Sequence, residues 1–158
     1  MHQIATSRFG VIDYPDEAVI HFPEGLPAFE TDVRFLAIER PDAAPLIFLQ
    51  SLEHPGLCFL TLPALLIDPR YHLSLCADDL ASLGLPTDRQ PEIGGDLVCL
   101  CILSLPESGP ATANLMAPVV IRRDLRAGLQ TVQLDSPYSH RHPLFNGAPD
   151  GAEVLSCS

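Results

Sequence analysis

Apolar residues in this chain fall into short runs separated by proline, glycine and clustered polar residues. That is the pattern of many short strands rather than of long helices. Strands are predicted at HQIATSR (2–8), AVIHF (18–22), RFLAIE (34–39), LIFLQSL (46–52) and LCFLTL (57–62). Further strands are predicted at DLVCLCILSL (96–105), TANLMA (112–117), PVVIR (118–122) and LQTVQL (129–134). The near-continuous apolar run 97–103 predicts a strand covered on both faces. LQTVQL alternates, which predicts a half-exposed strand. His54-Pro55-Gly56 separates two apolar runs and predicts a hairpin closed by a type II turn, with the glycine at positive φ. RRDLRAG (122–128) joins two further strands in the same way. A helix is predicted in ADDLASLGLP (77–86). Asp78 and Asp79 suit the positive end of its dipole, Leu80 and Leu83 share a face, Gly84 suits the left-handed position after the last turn, and Pro86 stops continuation. A shorter helical turn is predicted at PALLI (63–67), and PTDRQPEIGG (86–95) reads as a polar loop. The pattern describes an all-β (β-dominated) single domain over residues 1–145 with one or two short helices, and a flexible tail over 146–158.

Charge narrows the function. All nine basic residues are arginine, so Schiff-base and P-loop lysine chemistry are excluded. The formal net charge is −11, and the excess of acids lies in residues 1–121. Such a field repels nucleic acid and anionic membranes at long range and attracts basic partners. No apolar run approaches the roughly 18 residues of a membrane span, and the N-terminus carries no secretory pattern. The expected location is the cytoplasm. Five cysteines is an odd number for a disulfide framework. Cys99 and Cys101, two apart on a predicted strand, share one face and are expected in one core layer as small hydrophobes.

Chemistry-bearing motifs are scarce: there is no GxGxxG, P-loop, GxSxG or HExxH. The strongest candidate is DSPYSHRHPL (135–144). His140 and His142 would share a face on a strand and bind a metal with carboxylates from elsewhere, which is the reading of a metal-dependent enzyme. The alternative reading is a rigid clasp or docking segment. Pro137 and Pro143 stiffen it, Tyr138 offers a ring to bury and a hydroxyl to hydrogen-bond, and Arg141 offers a fork for a carboxylate of the acidic body. Arg122, Arg123 and Arg126 form a small basic patch, but their neighbours are aliphatic, which favours salt bridging within the fold over RNA binding.

Several stretches together resemble one family, the flagellar assembly factor FliW. They are FG (9–10), FPEGLPAFE (22–30), LQSLEHPGLCF (49–59), ANLMAPVVI (113–121), GLQTVQL (128–134) and DSPYSHRHPL (135–144). The resemblance implies a compact, antiparallel β-barrel-like fold and a cytoplasmic, non-enzymatic regulator with no cofactor or metal. It implies two partners, the translational repressor CsrA and flagellin, with direct contact to neither nucleic acid nor membrane. Capture of CsrA would relieve repression of flagellin mRNA once flagellin is exported. Candidate partner-binding or signature residues are Glu24, Asp78, Asp79, Asn114, Tyr138, Arg141 and His142. The chain departs from the family pattern at Ala28, where glycine is usual, and at Met116, where glutamine is usual. It also departs at Thr61-Leu62-Pro63, where an asparagine or aspartate commonly precedes the proline.

Overall fold

A computed structural model describes residues 1–144, so the segment expected as a tail (146–158) lies outside the described residues. In chain order, β1 (His2–Thr6) and β2 (Gly10–Tyr14) form a separate hairpin. They are followed by β3 (Val19–His21), β4 (Arg34–Glu39), β5 (Ile47–Ser51) and β6 (Cys58–Pro63). Two short helices come next, α1 (Ala64–Ile67) and α2 (Ala77–Ser82). The remaining strands are β7 (Leu97–Ser104), β8 (Thr112–Ala113), β9 (Val119–Arg122), β10 (Ala127–Gln130) and β11 (His142–Pro143).

The pairing order β7-β6-β5-β4-β3-β10-β9 closes on itself through β7–β9, which makes a seven-stranded barrel with β8 and β11 appended to β7. An odd ring cannot be antiparallel throughout, because directions that alternate must clash once around it. The clash falls at β3–β10, a parallel seam of one residue pair, Ala127 opposite His21.

Period-two alternation sorts the strands into two buried faces. Ile20, Phe22, Phe35, Leu49, Leu100, Val119 and Ile121 fill the lumen. Phe22 and Phe35, both fully buried, meet edge to face at 5.3 Å. Burial of each contributes about 1.5–3 kcal/mol. Gly128 lets the Phe22 ring approach, since a Cβ there would lie 2.7 Å from it. Outside the barrel, Cys99 and Cys101 face a layer made by Tyr71, Leu73, Leu75, Leu80 and Leu83. The prediction that 97–103 is covered on both faces and that both cysteines share a core layer therefore holds. A smaller outer cluster, around Phe48 and Leu62, is covered by Phe9 from the β1–β2 connection.

Three local expectations change, and one strand was not foreseen. TANLMA is a strand only at 112–113, because Asn114 turns the chain: its Oδ1 accepts the Ala117 amide at 2.9 Å. The His54–Leu57 turn closes by the Leu57 amide donating to the His54 carbonyl at 2.9 Å, but Gly56 keeps a φ outside the left-handed region, so it is not type II. β2 escaped the pattern because its residues are exposed or only half-buried. LQTVQL leaves the sheet after Gln130, with consequences for the site below. The helix at 77–82 forms as expected, with Leu80 and Leu83 buried, Gly84 at φ 69, and the Arg122 Nη1 donating to the carbonyls of Leu83 and Gly84 at 2.7 and 3.0 Å. Arg122 Nε and Nη2 also donate to the two carboxylate oxygens of Asp124, so this arginine of the basic patch is used within the fold.

Candidate functional site

Residues 71–76 run extended across the outer face of the barrel without a strand partner. Tyr71, Leu73 and Leu75 are buried, while His72, Ser74 and Cys76 face outward. An unpaired extended backbone near a core must find other partners. Side chains provide them. Gln133 Nε2 donates to the Ser74 carbonyl and its Oε1 accepts the Ser74 amide, both at 2.8 Å. Gln90 does the same for Leu75, at 2.8 and 3.0 Å. The His72 amide donates to Tyr138 Oη at 2.7 Å. Tyr138 stacks on Tyr71 with ring centroids 4.4 Å apart, and Tyr71 Oη donates to the Leu115 carbonyl at 2.6 Å.

This clamp decides which face of LQTVQL is buried. Amide and hydroxyl groups are needed on the inner side, so Thr131 and Gln133 are buried, with Thr131 Oγ1 donating to Asp79 Oδ2 at 2.6 Å. The apolar Val132 and Leu134 are turned outward, at 50% and 77% exposure. Between this segment and the 72–76 run lies a groove of about 470 Å³, lined by His72, Ser74, Cys76, Val132, Leu134 and Pro137 among others. Its floor is rigid: the Gln133 amide donates to the Met116 carbonyl at 2.6 Å, and Ser136 Oγ closes the next turn on the Gln133 carbonyl at 2.7 Å.

The predicted site residues distribute unevenly around this groove. Tyr138 forms part of its wall, and Asp79 anchors it from α2 through Thr131. Asp78 is exposed in the first turn of α2. Asn114 shapes the turn before β9. His142 is half-buried on β11, opposite Ala113, while His140 is exposed before it. Arg141 is exposed, and its side chain meets no carboxylate among the described residues, so the expected fork pairing is not made: β8 is the strand neighbour of β11, and it offers Thr112 and Ala113 there. Glu24 stands exposed on the loop that seals one end of the barrel. The sequence pattern did not single out Tyr71, Gln90, Val132, Gln133 or Leu134. The usable signal was the alternation in YHLSLC (71–76), too short and polar to stand out beside longer runs.

Among the described residues, no three His, Cys, Asp or Glu side chains come together as metal ligands, so the His140/His142 reading lacks its supporting carboxylates. Burial pushes the Cys101 thiol up to about 12 and raises Cys99 and the Tyr71 hydroxyl as well, so these groups stay protonated.

A family model described as FliW protein matches residues 3–144. The flagellar assembly factor FliW of Syntrophomonas wolfei subsp. wolfei is 33% identical over 144 residues, covering 90% of this chain and 88% of that protein. That of Heliobacterium modesticaldum is 33% identical over 144 residues and covers 90% of both. A crystal structure of the flagellar assembly factor FliW superposes with a TM-score of 0.80 at 28% identity, covering 91% of this chain and 97% of that one.

Proposed function

The chain belongs to the FliW family of flagellar assembly factors, and from that premise we propose a non-enzymatic, cytoplasmic regulator that captures CsrA and flagellin and links flagellin level to flagellin translation. The observation that carries this reading is the groove beside DSPYSHRHPL. It presents two outward apolar side chains, Val132 and Leu134, on a backbone locked by Gln133 and Tyr138. A preorganised apolar surface loses little conformational entropy on binding a protein. The −11 charge supports the choice of partner, since it attracts a basic RNA-binding protein and repels RNA from the complex.

Calorimetry against purified CsrA and purified flagellin tests the reading, and absence of binding to both would overturn it. Leu134→Asp leaves the core untouched and is expected to weaken at least one of the two by about tenfold or more, the cost of a hot-spot truncation. An unchanged affinity for both would remove the groove from the interface.

A further inference from the structure

The lumen of the barrel is unevenly filled. One end holds Phe22, Phe35 and Phe59, with Leu26 of the FPEGLPAFE loop packed among them. At the other end the inward face of β4 narrows from Phe35 to Ala37. A half-open cavity of about 460 Å³ lies there, lined by the exposed Ala37 and the half-buried Ile47 and Val98, with the buried Ile20 and Ile121 beneath. Barrels of this size either fill with side chains or hold one small ligand, and the volume lies in the range of small-molecule sites.

The rim supplies a chemical preference. Arg123 and Arg126, from the turn between β9 and β10, line the opening together with Glu39. Arg126 Nη2 donates to the Ala18 carbonyl at 2.7 Å, which holds the guanidinium in place. Its Nε is buried and has no hydrogen-bond partner. A buried donor left without an acceptor carries a real cost. Arg126 also stands at φ 50, a strained backbone of the kind that collects at ligand sites. Arg123 is exposed, and its side chain makes no ion pair among the described residues. Two guanidinium groups outweigh one carboxylate, so this mouth is locally cationic in a strongly acidic protein.

We infer that the open end of the barrel binds an aliphatic carboxylate. The hydrocarbon chain lies in the open mouth of the barrel against Ala37, Ile47 and Val98. The carboxylate accepts from the exposed Arg123 at the rim, and the Arg126 guanidinium behind it adds positive charge. The site is distinct from the groove on the outer face and does not depend on the proposed partners.

Decanoate titrated into the full chain by calorimetry is the direct probe, with decanol as its uncharged counterpart. One-site saturation is expected, with methyl NMR shifts at Ile47, Val98 and Ile121. Loss of the charged contact is expected to make decanol about tenfold weaker, and Arg123→Gln is expected to weaken decanoate by a similar factor. Ala37→Leu, which narrows the mouth of the cavity, is expected to weaken decanoate by about tenfold or more. Absence of saturation, shifts confined to the outer face, or equal affinity for decanol would each overturn the proposal. So would a folded Ala37→Leu variant that binds decanoate unchanged. Should that variant not fold, the exposed Arg123→Gln and the methyl shifts decide the matter.

Discussion

Ala28 stands at φ 71, in the left-handed region where a Cβ is costly. It lies in the FPEGLPAFE loop, at the position where the family resemblance expects glycine, and the backbone now explains the expectation. Ala28→Gly should stabilise the protein by about 0.5–1 kcal/mol, the strain relieved less the entropy glycine adds to the unfolded chain. A raised urea midpoint at unchanged slope would show it. Gly25, in the same loop, sits at φ 64 with the Glu30 backbone 2.6 Å from where a Cβ would go, so no larger residue is tolerated there. Nearby, Asp32 is 1% exposed and receives hydrogen bonds from Ser51 Oγ at 2.6 Å and His54 Nδ1 at 2.7 Å. Burial pulls its carboxyl upward, but the bonds from Ser51 and His54 outweigh it and hold the pKa below the ordinary value. A lowered folded pKa means stability that is complete above the unfolded value and is lost as pH falls through the folded one. Asp32→Asn should therefore cost about 1.5–3 kcal/mol at pH 7. The gap to the parent protein should begin to narrow below about pH 4, the unfolded value, and close only below the lowered folded pKa, as read from urea midpoints across that range.

At the scale of elements, the run 71–76 is held by side chains in place of a strand. Gln133→Ala removes both bonds to Ser74 while leaving its amide and carbonyl in place. The expected cost is about 1–3 kcal/mol, and the Ser74 amide should exchange with solvent faster than the amides of β7. Amide exchange at Ser74 unchanged by the substitution would show that the clamp is dispensable. The hairpins β5–β6 and β9–β10, the covered strand β7 and the helix α2 were all legible from apolar runs and turn residues. The clamp was not, because glutamines at positions 90 and 133 read as ordinary polar residues until the extended backbone they serve is in place.

For the whole molecule, the net charge of −11 acts over distances beyond any single contact. If CsrA is captured as proposed, its on-rate should fall as salt rises from low to physiological concentration, where the screening length shrinks to about 8 Å. Stopped-flow rates independent of salt would count against electrostatic steering. The same charge gives the barrel mouth its contrast, since Arg123 and Arg126 form a cationic rim on an acidic body.

The sequence by itself determined the local elements and the family, because apolar runs, prolines and glycines act over a few residues and the matched motifs recur in order along the chain. Tertiary structure alone decided that seven strands close with one parallel seam, since ring parity is invisible locally. It also decided which face of 129–134 is buried. Alternation says that two faces differ, but only the neighbour packed against them settles which is inside. Here that neighbour is an unpaired backbone in need of amides, so Gln133 went in and Leu134 came out.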